Sequence, residues 1–284
     1  MIEKKLITEA GIYTISNILN KAIVFLLLPL LTHYLIPSEY GTYVLIQVAV
    51  SFLIPIVSIN SNAAIQREFF LLNHYQFAQY TSGTLFVNII IVAFLYLLTW
   101  LIGGYISKLL FISVFWLNII ILLAFGQTII NLLLAIWQSE RNAKYYALFS
   151  ILQTIIRFVL TILPVVLFND KLNALLWGYT ISILIFALIS FKVLLKRNLF
   201  KLIIIKEKII SFIRYGLPLV PHQIGGWLMG MADRVIIANK LSLSDVGFYN
   251  LGFSFGSGVG LIQDSFNKAW VPYLYKKLTI NDEY

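Results

Sequence analysis

Four stretches of this chain, 40–66, 84–106, 109–138 and 172–191, contain no Asp, Glu, Lys or Arg. A helix needs about 20 apolar residues to cross a bilayer core about 30 Å thick, and each of these is long enough. Four further stretches, 10–36, 145–168, 215–240 and 246–275, have similar length with isolated ionisable residues. The alternation of a membrane β-barrel is absent, so the chain reads as all-α, with eight membrane-spanning helices. Composition agrees: 60% of residues are hydrophobic, 12% are charged, and mean hydropathy is +0.88. Soluble domains carry roughly a quarter charged residues.

Several function classes drop out. The chain has no cysteine and three scattered histidines, which excludes disulfides, thiolate metal sites and cysteine nucleophiles and argues against metal catalysis. No Walker loop, dinucleotide fingerprint or nucleophile elbow occurs. The expectation is a protein that is not an enzyme and needs no cofactor or metal. The first apolar run is too long for a signal peptide and lacks a small-residue cleavage site.

Cations set the orientation. With the N-terminus cytoplasmic, the inner loops hold Lys4, Lys5, Arg67, Arg141, Lys144, Lys192, Lys196, Arg197, Lys201, Lys206, Lys208, Arg214, Lys276 and Lys277; the outer loops hold Lys108, Lys171 and Lys240. Fourteen against three favours N-inside. The net charge of +9 is therefore mainly a topology signal. The basic connector 192–214 lacks the interleaved aromatics of a nucleic-acid groove, so no nucleic-acid partner is expected.

Leu35-Ile-Pro-Ser-Glu-Tyr-Gly-Thr-Tyr43 and Leu241-Ser-Leu-Ser-Asp-Val-Gly-Phe-Tyr249 share Leu, Ser, an acid, Gly and Tyr at equal spacing, and each links one apolar segment to the next. Six spans separate the copies, an even number, so the halves are parallel repeats about an axis along the membrane normal. The domains are a six-helix N-lobe, 1–197, a basic cytoplasmic connector, 198–214, and a partial C-lobe, 215–284, with helices 7 and 8. The first copy opens a complete lobe and the second supplies two helices, so four helices are expected to be missing.

Four cations lie inside spans: Lys21, Arg157, Arg234 and Lys268. Lys21 is about 16 Å into helix 1 and Arg157 about 18 Å into helix 5, near the midplane. A cation there costs roughly 2.5–3.5 kcal/mol on insertion scales, so both are expected to face a wet lumen. Arg234 and Lys268, nearer helix ends, could snorkel. Polar residues recur at helical spacing beside them: Asn17 with Lys21; Gln47, Ser51, Ser58, Asn62 and Gln66 with Pro55; Ser150, Gln153, Arg157 and Thr161; His222, Gly226, Gly230 and Asp233; and Asn250, Ser254, Ser257, Ser265 and Lys268. Such stripes either bond helices together or line a cavity, and five of them with cations favour a cavity.

Some charges pair. Asp264 and Lys268 stand at i and i+4, and Asp233 adjoins Arg234. A net positive interior remains, for which an anionic ligand is the simplest complement. His222 is expected to be a hydrogen-bonded residue at a helix entry. Gly226 with Gly230, and Gly252, Gly256 and Gly260, recur every fourth residue and signal close helix packing. Pro29, Pro55 and Pro164 could kink their spans.

Gly11-Ile-Tyr-Thr-Ile-Ser-Asn17, the Pro37–Tyr43 turn, Gly216-Leu-Pro-Leu-Val-Pro-His222, Ala232-Asp-Arg234, Leu243–Tyr249 and Phe266-Asn-Lys-Ala-Trp-Val-Pro-Tyr273 resemble the Wzx-type O-antigen flippases. These form part of the polysaccharide-transport branch of the multidrug/oligosaccharidyl-lipid/polysaccharide exporter superfamily. The resemblance covers the whole chain and rests on the order and spacing of the motifs. It implies a bacterial inner-membrane protein, related to lipopolysaccharide assembly, that moves an undecaprenyl-pyrophosphate-linked oligosaccharide to the periplasmic leaflet. It also implies two six-helix lobes around a cavity with cations in it, matching Lys21, Arg234 and Lys268 by helix and Arg157 by lobe. Partners would be that substrate, membrane lipid and other polysaccharide-assembly proteins. Relatives have twelve or more helices, so the chain resembles a C-terminally truncated fragment. A multidrug exporter of the superfamily and a membrane polysaccharide polymerase or ligase are the alternatives.

Overall fold

The protein is represented by a computed structural model that describes residues 2–201 and 205–257. Among these residues every regular element is a helix: α1 (Ile2–Tyr34), α2 (Pro37–Ser58), α3 (Ser61–Phe69), α4 (His74–Leu110), α5 (Val114–Ser139), α6 (Ala143–Leu167), α7 (Lys171–Lys196), α8 (Lys206–Gly216) and α9 (Leu219–Lys240). A further helix, α10, is described over 243–257. Within α1 the segment from Gly11, together with α2, α4, α5, α6 and α7, is long and apolar enough to cross a membrane. Helix α9 is long enough, at 22 residues, but Asp233, Arg234, Lys240 and three glycines dilute its apolar content. The expected eighth span lies partly outside the described residues.

The helix starts follow from local chemistry. Pro37 takes the first position of α2, where its missing N–H costs nothing, and the Glu39 carboxylate accepts from the Ile36 amide at 3.1 Å. In the second copy of the repeat, the Ser242 hydroxyl accepts from the Asp245 amide at 3.2 Å and donates to its carboxylate at 2.6 Å. The acid shared by the two copies is thus a helix-start residue in both. Asn73 caps α4 and Asp170 caps α7 in the same manner.

Helix α5 is apolar on all sides because it is enclosed, packing on α2, α3, α4 and α7. Helix α1 lies along α6, and α6 along α7. The second expected span, 40–66, is not one helix. The helix breaks at Ile59 and Asn60, both at positive φ (42° and 56°), and 61–69 forms a separate helix that packs, like α2, on α5. Gln66 on this helix is tied to Gln138 on α5 at 2.9 Å rather than continuing a polar stripe along α2.

The expected connector is partly helical. Phe212 of α8 is fully buried, edge-on to Tyr80 of α4 at 6.3 Å, and Ile209 lies over Gly83. Lys206, Glu207, Ile210 and Arg214 stay on the outer face, so α8 is an amphipathic helix packed across the end of α4. At its end, a side chain on Gly216 would collide with the Ile59 carbonyl, so backbone seats on backbone there.

The two copies of the repeat touch. A Cβ on Gly41 would collide with the Leu243 carbonyl and lie 3.3 Å from the Gly247 nitrogen; a Cβ on Gly247 would lie 2.5 Å from the Pro37 carbonyl and 3.5 Å from the Gly41 nitrogen. Each shared glycine leaves room for the backbone of the other copy. The glycines expected to mediate close packing do not do so among the described residues: a Cβ at Gly226, Gly230, Gly252 or Gly256 would meet nothing within 4 Å. Gly260 lies outside the described residues.

Candidate functional site

Beside the repeat contact, α1 and α10 diverge around a cavity of about 430 Å³ lined by Asn20, Lys21, Val24, Phe25, Leu28, Ser254 and Ser257. Edge-to-face packing of Phe25 on Phe255, 5.6 Å between centroids, joins its two walls. Lys21 is exposed to this space and has no ion pair or hydrogen bond among the described residues. The Asn20 side-chain oxygen is buried without a partner. Ser254 and Ser257 donate to carbonyls of their own helix, at 2.7 and 2.8 Å, leaving their oxygens as acceptors. Among the described residues the lining has one free ammonium, several neutral polar groups and no carboxylate, a combination that suits an anionic, hydroxyl-bearing ligand. Asn17, one turn from Lys21, is also exposed. Asn20 was missed in the sequence because it falls outside the stripe through Asn17 and Lys21.

Arg234 does not snorkel. Its side chain is 1% exposed, paired with Asp233 at 2.6 Å and donating to the Gly230 carbonyl at 2.7 Å. The Phe253 and Tyr249 rings lie 4.0 and 5.2 Å from the guanidinium, a cation–π cage. The Tyr249 hydroxyl donates to the other Asp233 oxygen. Asn250 accepts from Arg234 at 3.5 Å and donates to the Tyr40 hydroxyl at 3.0 Å. Arg234 is thus the hub of a network joining α9 and α10 to α2, a fastening between helices rather than a free lumen cation. Trp227 adds a second tie, donating to the Val48 carbonyl at 3.2 Å and the Ser51 hydroxyl at 3.0 Å. Tyr40, Tyr249 and Gly41 all sit in the repeat, which is the signal that could have found them.

Arg157 sits apart from the cleft. It points between α5 and α7, donating to Gln127 of α5 at 3.4 Å with its guanidinium 5.7 Å from the Tyr179 ring of α7. Gln153, one turn away, is buried with its amide nitrogen unpartnered. Gln47 is half-buried. Asn62 on α3 has a buried oxygen without a partner. His222, in the first turn of α9, is exposed and makes no hydrogen bond among the described residues, because α9 begins at the protein surface. Asp264 and Lys268 lie outside the described residues. The structure therefore brings Lys21 to the cleft between α1 and α10, places Asp233, Arg234 and Asn250 in the network that joins α9 and α10 to α2, and leaves Arg157 and Gln153 on the face of α6 turned to α5 and α7.

Two relatives from Haemophilus influenzae match almost the whole chain. "Lsg locus putative protein 1" is 26% identical over 283 residues, covering 96% of this chain and 67% of the relative. An "Uncharacterized membrane protein" is 27% identical over 281 residues, covering 96% and 66%. The chain thus spans about two-thirds of the length of these curated relatives. Among solved structures, one called "protein A" superposes with a TM-score of 0.62 at 15% identity, over 90% of this chain and 60% of that one. A crystal structure of MATE in complex with Br-NRF gives 0.53 at 14% identity, over 78% and 52%. These structures share the fold. The family profile described as "Polysaccharide biosynthesis protein" matches residues 6–277, and the chain belongs to that family of helical membrane proteins.

Proposed function

We propose that the chain is the flippase component, or part of one, that moves undecaprenyl-pyrophosphate-linked O-antigen or related repeat units across the bacterial inner membrane. Lys21 carries the reading: an unpaired ammonium among Asn20, Ser254 and Ser257 in a cleft between the lobes. Pyrophosphate would pair with the ammonium, and sugar hydroxyls would bond the amide and the serines. Membership of a polysaccharide biosynthesis family supports the substrate class, and the likeness to solved structures supports a two-lobe fold.

In this reading α9 and α10 are the seventh and eighth spans. The N-terminus is cytoplasmic by the distribution of Lys and Arg. The partners are the lipid-linked oligosaccharide, membrane lipid and other polysaccharide-assembly proteins. The chain transports rather than catalyses, by ion-coupled or facilitated alternating access.

The test is complementation in cells lacking their own transporter, at matched protein levels, with Lys21→Gln and Lys21→Arg. A lost charge-assisted bond of about 1.5–3 kcal/mol weakens binding about 10- to 100-fold. Lys21→Gln should reduce surface polysaccharide and accumulate its lipid-linked precursor, while Lys21→Arg retains partial function. Wild-type output from Lys21→Gln would sink the role of the cleft. Export of cationic drugs without precursor movement in reconstituted vesicles would point instead to a multidrug exporter, and chain elongation of the precursor to a polymerase.

A further inference from the structure

The polar face of α6 is not used by the cleft. It carries Gln153, Arg157 and Thr161 in successive turns. The guanidinium's partners among the described residues are the Gln127 oxygen at 3.4 Å and the Tyr179 ring, neither of them charged. The Gln127 amide nitrogen already donates to Asn131 at 2.9 Å. No carboxylate pairs with Arg157 among the described residues.

Three buried groups on this face have no partner among the described residues: Nε of Arg157, Nε2 of Gln153 and Oγ1 of Thr161. All three can donate, and the first two can only donate. Gln153 is 7% exposed and Thr161 0%. Tyr43 and Tyr179, edge to face at 5.7 Å, wall the same region. A buried unmatched donor is costly, and so is an unpaired cation inside a span. A positive charge whose one acceptor among the described residues is the neutral Gln127 oxygen, with three further donors unmatched, calls for a species that accepts hydrogen bonds and carries negative charge. Gln153 and Arg157 are one turn, about 6 Å, apart along the axis, a gap that one small ion can bridge between the ends of two long side chains.

We propose that the N-lobe binds a small inorganic anion of the halide class at Arg157, with Gln153 as second donor and Thr161 closing the row. Its role is to neutralise the cation inside the lobe, separately from whatever the cleft between the lobes carries.

The experiment uses the full chain purified in detergent, with thermal unfolding followed in sodium chloride and in sodium gluconate at equal ionic strength. The expected result is a midpoint that rises with chloride and saturates, with bromide replacing chloride. The rise is lost in Arg157→Gln, reduced in Gln153→Leu and kept in Lys21→Gln. Line broadening of the chloride NMR signal by wild-type and Lys21→Gln protein gives a second readout that survives any failure of Arg157→Gln to fold. Equal midpoints in chloride and gluconate with no excess broadening would overturn the proposal. So would loss of both effects in Lys21→Gln, which would move the ion to the cleft. Neither outcome depends on what the cleft transports.

Discussion

Replacing Gly41 with Ala tests the contact between the repeat copies, because one methyl group must behave oppositely at different glycines. In a helix, Gly→Ala ordinarily stabilises by roughly 0.5–1 kcal/mol. At Gly41 the new Cβ meets the Leu243 carbonyl, part of a helix backbone that no rotamer change can move aside. Overpacking of this kind costs about 1–3 kcal/mol, and a rigid obstacle puts the cost toward the upper end. The net expectation is a loss of about 1–2 kcal/mol. Gly247→Ala, aimed at the Pro37 carbonyl, should behave alike. Gly230→Ala, with nothing within 4 Å among the described residues, should be neutral or slightly stabilising. Thermal unfolding of the purified proteins in one detergent measures all three. Because both methyl groups would force the same two turns apart, the Gly41→Ala/Gly247→Ala double variant should lose less than the sum of the singles. A Gly41→Ala midpoint equal to or above wild type, or full additivity of the pair, would refute the reciprocal contact.

The remaining predictions probe the network and one helix start. Asp233→Ala leaves the enclosed Arg234 without its counter-charge and should destabilise by about 3 kcal/mol or more; Asp233→Ala/Arg234→Met should recover much of that, measured by the same melts. Tyr40→Phe and Trp227→Phe each remove donors or acceptors between the lobes and should each cost about 1 kcal/mol. Asp170, between α6 and α7, accepts from the amide and side chain of Asn173, which hold its carboxyl below the usual carboxylate range. Its folded value lies below the unfolded one near 3.9. Its contribution is therefore full above that pH and fades as pH falls through the folded value. Asp170→Ala should lower the midpoint near neutral pH, and the difference from wild type should shrink on acidification.

The spans were legible because an apolar run of bilayer length has few alternatives, and six of the eight expected spans stand as helices long and apolar enough to cross. The break after α2 was not legible. Ile59 is β-branched, a poor candidate for positive φ, and no Gly or Pro lies between Ser58 and Ser61 to announce a break. The grouping of Gln153 with Arg157 on one face followed from helical spacing, yet spacing leaves open which way the face turns; α6 turns it toward α5 and α7 rather than the cleft. For Arg234, position near a helix end suggested snorkelling, but the cage depends on rings that α10 brings across from residues later in the chain. The repeat itself was plain in the sequence. That its copies meet each other, glycine against backbone, follows from the approach of the two lobes, on which spacing is silent.

The seat of Gly216 on the Ile59 carbonyl has a mechanical consequence. The space that a Cβ would take there is already filled by the Ile59 carbonyl and Cγ2, while Phe212 one turn earlier is fully enclosed against α4. Helix α8 is therefore held at two points one turn apart, like a plank nailed twice: it cannot swing about either point, and a single methyl group at position 216 would prise up one of the nails.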